Sequence, residues 1–231
     1  MIVSAHQPQY IPWLGFFDKI ARSDAFVFLD RVQYKEREFQ NRNKICAKNR
    51  CLWLSVPVIS KGKNRQLIGE VAIDNTFPWR RQHLNSLKAW YANAPHFKDY
   101  IGFFEDIYSR DWERLVDLNV CIIKYILSAL SISTPVSFES GLGISAQSTD
   151  RIIAICKKLN ADTYLSGAGG KEYLEENKFI ESKIKLVYQS FSHPVYRQQS
   201  RSDGEEFIAQ LSILDLLFNE GSNSKKILGL E

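Results

Sequence analysis

Three residues that lie at the predicted ends of strands have side chains suited to acid or base catalysis. His6 is one of only four histidines, and imidazole titrates near neutral pH, so it suits general acid or base chemistry. Asp30 and His193 are the other two catalytic candidates. The alternatives are a structural hydrogen bond for His6 and an ordinary exposed charge for Asp30.

The segment after His6 has the composition of a rigid ligand-binding loop. Pro8 and Pro12 exclude regular strand pairing there, and the helix that follows offers free N–H groups to an anion. The polar run 40–44 adds amide and cationic donors, and an arginine can hold a phosphate or carboxylate in forked geometry. The alternative for this run is a surface turn. Candidate substrate-binding residues in this half are Gln7, Tyr10, Trp13, Lys19, Asn41 and Arg42.

A glycine-rich turn follows a buried strand late in the chain. Ser166, Gly167 and Gly169 are candidates because glycines let backbone N–H groups approach a phosphate or oxyanion closely. The spacing fits neither a Walker A loop nor G-x-G-x-x-G, and Ser166 lacks the frame of a nucleophile elbow. Tyr196, close to His193, is the last substrate-binding candidate.

Charge is concentrated in one segment. The chain has a net charge of +4, whereas residues 31–65 hold ten Lys/Arg and two acids, so this segment is +8 and the rest is −4. Such an excess favours an anionic small-molecule substrate, the alternative being a solvated basic loop. Nucleic acid is not expected, because no motif for it is present.

Other features limit the class of protein. The four cysteines form no C-x-x-C pair or zinc pattern, so we expect reduced, mostly buried thiols and no metal site; a catalytic cysteine is the alternative. No cofactor is expected, although a nucleotide or an acyl thioester could serve as co-substrate. The start lacks a signal peptide and no apolar run is long enough to span a membrane, which predicts a cytoplasmic protein. The oligomeric state is not predicted.

The elements that must position these groups alternate between strand and helix. Ile2 to Ala5 reads as a buried strand, 14–22 as a helix and 25–29 as a strand, which together form a βαβ unit. Residues 161–166 and 184–189 predict further strands, and 101–130 one long helix. We therefore predict one α/β domain over residues 1–231: an open, doubly wound, mostly parallel Rossmann-like sheet with a mainly helical segment at about 78–131. Ligands bind at the carboxyl ends of such strands.

Several motifs resemble the WbqC-like family, whose members occur among bacterial genes for O-antigen and other surface polysaccharides. They begin with the run from His6 to Ile20 (HQPQYIPWLGFFDKI) and continue with FLDRVQY from Phe28, FQNRNK from Phe39, LSVPV from Leu54, YLSG from Tyr164 and SILDLLFN from Ser212. The resemblance spans nearly the whole chain and implies a role in a polysaccharide or modified-sugar pathway, without an established reaction.

A fainter resemblance is to HIGH-type nucleotidylyltransferases, whose fold opens with the same strand, loop, helix and strand. Aligned on Pro8, Tyr10 and Trp13 replace the two histidines and Pro12 replaces the glycine. The basic segment could hold a diphosphate and His6 could act as a base, so we expect a transferase acting on a nucleotide-linked amino sugar, with acyl transfer to an amine and His6 as general base. The alternatives are nucleotidyl or adenylyl transfer with altered groups, and a non-catalytic module that binds a nucleotide sugar.

Overall fold

The computed structural model describes residues 1–48, 50–60, 62–63, 65–199 and 206–230; Lys61 of the basic segment lies outside them. The strands are β1 (Ile2–His6), β2 (Ala25–Phe28), β3 (Arg42–Ala47), β4 (Arg50–Ser55), β5 (Val136–Phe138), β6 (Thr163–Ser166) and β7 (Lys185–Tyr188). The α-helices are α1 (Leu14–Ala21), α2 (Trp79–Tyr91), α3 (Phe97–Ser109), α4 (Leu115–Ala129), α5 (Ser148–Lys158), α6 (Glu176–Glu181), α7 (Ile213–Glu220) and α8 (Ser224–Ile227).

Five strands form an open, all-parallel sheet in the order β5-β2-β1-β6-β7, and β3 and β4 form a separate antiparallel hairpin. Strand β2 shows why both sheet faces are covered, since successive side chains point to opposite faces. Phe26 and Phe28 enter a core shared with α1, the helices α2 to α4 and α7. Val27 and Leu29 enter a second core with α5 and α6. The predicted α/β sheet with helices on both faces is confirmed.

The strand order reverses between β1 and β6, at the centre of the sheet. From β1 the chain passes through α1 to β2 on one side, whereas β6 lies on the other side. The β1–β6 ladder has only two residue pairs, Ile2 with Thr163 and Val3 with Tyr164. The carboxyl ends of β1 and β6 therefore border a crevice, which is where ligands bind in open α/β sheets.

The long helix predicted over 101–130 is wrong, because two helices, α3 and α4, occupy this region. Between them Ala72 pairs with Arg114 in an antiparallel bridge, and the amide of Ile73 donates to the carbonyl of Glu113 at 2.9 Å. Tertiary pairing with the segment 71–73 thus overrides the local helical preference. No helix of the described residues has the length and apolarity to cross a membrane.

Candidate active site at the carboxyl edge of the sheet

Two adjoining hollows occupy the crevice between β1 and β6. The large hollow has a volume of about 460 Å³ and the small hollow about 420 Å³. Both are lined by His6, Lys19, Gly167 and Gly169. The sheet topology therefore brings the end of β1, the helix α1 and the glycine turn to one place, here called the β1–β6 cleft.

His6 ends β1 and is held in one orientation. Its Nδ1 lies 3.0 Å from the backbone oxygen of Gln7, and its ring meets Phe16 edge to face, with centroids 5.4 Å apart. A carbonyl oxygen only accepts, so Nδ1 carries the proton and Nε2 keeps its lone pair. Burial, followed by the nearby positive charge of Lys19, lowers the pKa of His6 to about 3. The imidazole is therefore neutral at pH 7.

Lys19 is a buried amine on α1, with only 3% of its surface exposed. Its Nζ donates a hydrogen bond to the backbone oxygen of Ala5 at 3.1 Å. That oxygen lies beyond the short β1–β6 ladder. Burial lowers the pKa of Lys19 to about 7, so a large fraction of this amine is neutral at physiological pH.

The glycine turn leaves β6 as a short 3₁₀-helix, Ala168–Glu172. A Cβ atom at Gly170 would lie 2.0 Å from Ser166 Oγ, whereas one at Gly169 would meet nothing within 4 Å. Gly170 is thus required by close packing, and Gly169 leaves open space beside the cleft. The amide of Gly170 donates to the oxygen of Gly167 at 2.9 Å, which closes the turn.

The large hollow carries more positive than negative charge. Lys19, Lys35 and Arg151 line it together with a single acid, Glu38. Arg151 is oriented by Glu139, since its Nε lies 3.0 Å from Oε1 of that carboxylate and 3.1 Å from the oxygen of Ala146. Glu139 is 1% exposed, and burial raises its pKa although Arg151 acts in the opposite direction. This charge balance suits a phosphate or other anion.

Several predicted residues border the cleft. Gln7 and Ser166 line the large hollow and Trp13 the small one. The Trp13 ring meets Phe191 edge to face at 5.4 Å. It lies over the start of α1, where a Cβ atom at position 15 would be 2.4 Å from the indole.

Tyr10 requires a correction, because its side chain is completely buried and cannot contact a substrate. Its hydroxyl lies 2.8 Å from Nδ1 of His83 and also bonds the hydroxyl of Tyr108. Tyr10 therefore belongs to a buried polar network made of Tyr10, His83 and Tyr108.

Asn41 and Arg42 do not line either hollow. The run 40–44 contains the start of β3, and the Arg42 guanidinium lies over the Trp53 ring, 4.5 Å from its centroid. Asn41 Nδ2 donates to the oxygen of Val56 at 2.9 Å. Both side chains therefore contact the hairpin or the residue that follows it, and the structure does not bring them into either hollow that His6 lines.

Asp30, His193 and Tyr196 also lie outside the two hollows. Asp30 Oδ1 accepts from the amide of Ser140 at 3.0 Å, which ties the end of β2 to the segment after β5. The Tyr196 hydroxyl donates to Asp215 on α7 at 2.8 Å, and His193 stacks on the Tyr196 ring. These contacts give Asp30 and Tyr196 structural roles, whereas the buried Nε2 of His193 has no hydrogen-bond partner among the described residues.

The polar residues of the large hollow that were not predicted include Gln9, Lys35, Gln40 and Arg151. Gln9 is 9% exposed, and its Oε1 has no hydrogen-bond partner within the described part of the chain. Gln9 belongs to the same loop as His6, so the loop itself was the available signal. Arg151 has no local signal, since only the packing of α5 against the sheet brings it to the cleft.

Comparison with known proteins agrees with the family resemblance of the sequence motifs, which are spread over nearly the whole chain. The chain is 34% identical over 227 residues to the uncharacterized protein Rv1507c of Mycobacterium tuberculosis (strain ATCC 25618 / H37Rv), covering 98% of this chain and 96% of that protein. No solved structure matches it significantly. The model of the WbqC-like protein family matches residues 7–227. The chain therefore belongs to the WbqC-like protein family.

Proposed function

We propose that this protein is a transferase that acts on a nucleotide-linked amino sugar in the biosynthesis of a surface polysaccharide, and that it transfers an acyl group to the sugar's amine. The observation that carries the proposal is the position of His6, an orientated neutral imidazole on the wall shared by two hollows. Two adjoining hollows suit a reaction between two substrates, one in each.

Binding of the nucleotide-linked sugar is assigned to the large hollow. Lys35 and Arg151 would hold the diphosphate, with Glu139 fixing the orientation of the Arg151 guanidinium. Gln9 supplies an unpartnered amide oxygen for a hydroxyl or amine of the sugar. Hydrogen bonds of this kind discriminate strongly, because a ligand that cannot satisfy a buried polar group leaves it unpaired.

The chemical step assigned to His6 is proton acceptance. The sugar's amine would attack the carbonyl carbon of an acyl thioester, the thiolate would leave, and Nε2 of His6 would take a proton from the nitrogen. A bound phosphate raises the pKa of His6, because a nearby negative charge favours the imidazolium. Backbone N–H groups of the glycine turn would stabilise the oxyanion.

The test combines binding and turnover. We expect nucleoside diphosphate-linked amino sugars to raise the melting temperature and, with acetyl-coenzyme A, to give an acylated sugar and free thiol detected by mass spectrometry. His6→Ala should abolish product without loss of fold, whereas His96→Gln, at an exposed histidine outside the cleft, should leave the rate unchanged. Unchanged turnover in His6→Ala would remove the assigned role.

The other activities are distinguished by their products. Release of pyrophosphate from ATP would replace the proposal by nucleotidyl or adenylyl transfer. Tight binding of the sugar with no product from any acyl thioester would replace it by a non-catalytic binding module.

A further inference from the structure

Lys19 is buried, and it forms no ion pair with an acidic side chain of the described residues. The nearest acid in sequence, Asp18, is already engaged, since its Oδ1 accepts from Arg22 Nε and its Oδ2 from Gln189 Nε2, each at 2.6 Å. Within the described ranges, the contact of Lys19 Nζ is the single hydrogen bond to Ala5. A buried amine without a carboxylate loses part of its charge, and a neutral lysine is a nucleophile.

The position of Nζ gives this amine access to a ligand. Lys19 lines both hollows, and a Cβ atom at Gly167 would lie 3.8 Å from Nζ. Glycine at 167 therefore keeps the space beside the amine open. The other titratable side chains of the large hollow are His6, Lys35, Glu38, Arg151, Tyr164 and Tyr173. None of them forms an ion pair with Lys19 among the described residues.

We propose that Lys19 is a nucleophilic amine that captures the aldehyde or ketone carbon of a phosphate-bearing ligand as an imine. The Nζ lone pair adds to the carbonyl carbon, and the carbonyl oxygen becomes a hydroxyl. Loss of that hydroxyl as water then forms the carbon–nitrogen double bond. Nζ gives up two protons in all, both of which end in the released water, so no oxidant or reductant is needed.

His6 is placed to relay these protons, because it lines the same two hollows as Lys19 and its Nε2 is the free acceptor of the ring. In the setting of the proposed function, the ligand would be a nucleotide-linked amino sugar that also carries a keto group. That identification rests on the proposed function. Capture of a carbonyl carbon by Lys19 does not depend on acyl transfer.

Pyridoxal 5′-phosphate, which carries an aldehyde and a phosphate, is the probe. The unmodified protein is treated with it at pH 7, the imine is reduced with borohydride, and the labelled peptides are mapped by mass spectrometry. At pH 7 an amine with the free lysine pKa of about 10.4 holds about a thousandfold less neutral form than an amine with a pKa of about 7. We therefore expect Lys19 to be labelled at least about 10-fold faster than Lys98, which is exposed.

Two variants control for this comparison. Lys19→Gln should remove the fast, saturable phase of labelling, and Lys98→Gln should keep it. Labelling of Lys19 no faster than Lys98 in the unmodified protein would overturn the proposal, whether or not Lys19→Gln folds.

The dependence of Lys19 labelling on a phosphate group in the aldehyde helps to distinguish this inference from the proposed function. We expect inorganic phosphate to slow the labelling of Lys19, and pyridoxal without phosphate to label it more slowly. Fast labelling by both aldehydes alike would support the reactive amine and contradict the anion site. A protein that binds nucleotide-linked sugars but leaves Lys19 unlabelled would retain the proposed function and overturn the imine.

Discussion

The molecule contains two histidines in different settings, the partly buried His6 at the β1–β6 cleft and the buried His83 in the buried polar network. Burial lowers the pKa of both, to about 3 for His6 and about 4 for His83. His83 is enclosed by aromatic rings, with those of Trp79 and Tyr108 at 5.4 and 5.9 Å. His6 borders two hollows. A lowered pKa is common to both histidines, so access to a ligand is what distinguishes the candidate site from a structural position.

The largest effect is expected from exchanging the two histidines for glutamine. His6→Gln should lower turnover of the proposed transferase by about 100-fold or more and leave the free energy of unfolding nearly unchanged. His83→Gln should lower the free energy of unfolding, because it disturbs a fully packed site, and should leave turnover nearly unchanged. Activity and denaturant unfolding measured on both variants check the pair, and equal behaviour of the two would break the comparison.

A second prediction concerns the buried network directly. Tyr10→Phe removes a hydroxyl that bonds His83 and Tyr108, so it should lower the free energy of unfolding by about 1–3 kcal/mol. Binding of a nucleotide-linked sugar should be unaffected. Tyr173→Phe is the control, since this ring is 67% exposed and its loss of a hydroxyl should not change stability. A loss of affinity in Tyr10→Phe at full stability would return Tyr10 to the site.

The glycine turn offers a matched pair within the cleft. Gly170→Ala places a Cβ atom 2.0 Å from Ser166 Oγ and 3.1 Å from Leu174 Cδ1, so we expect a cost of about 1–3 kcal/mol from overpacking. Gly169→Ala meets nothing within 4 Å and should stay within about 0.5 kcal/mol of the wild type. Urea denaturation distinguishes them, and equal stabilities would mean that the turn adapts.

The smallest effect is the change in the free energy of unfolding with pH that arises from the titration of His6 and His83. Their folded pKa values lie below the ordinary value of 6.5, so the unfolded chain binds protons first as the pH falls. The stability that these histidines contribute is therefore fully present above pH 6.5 and is lost as the pH falls toward about 3 for His6 and about 4 for His83, by about 1–2 kcal/mol per histidine at pH 5. Unfolding measured at pH 7 and 5 should show a weaker decline in His83→Gln. An unchanged decline would mean that His83 titrates normally.

The sheet was predictable from sequence because its strands are short apolar runs followed by turn residues, as in 25–29 and 161–166. The position of His6 followed from the same pattern. Predictions from local sequence patterns were wrong where contacts between residues far apart in the sequence determine the structure. The pairing of Ala72 with Arg114 breaks the predicted helix, and the stacking of Arg42 on Trp53 removes that arginine from the cleft. That residues 1–231 form a single domain stays a prediction.

The position of Arg151 at the cleft could not be predicted from the sequence. Its guanidinium is held by Glu139, twelve residues earlier, and reaches the cleft only because α5 packs on one face of the sheet. The basic segment 31–65 contributes Lys35 to the lining of the described hollows. The net charge of a segment therefore indicated an anionic ligand without identifying the residues that would bind it.

The assignment of the β1–β6 cleft as the substrate site is tested by a crystal structure of the protein soaked with a nucleoside diphosphate-linked amino sugar. We expect density in the β1–β6 cleft, with the diphosphate between Lys35 and Arg151 and the sugar within hydrogen-bonding distance of Nε2 of His6. Density at the Arg42–Trp53 face of the hairpin, with an empty cleft, would contradict it.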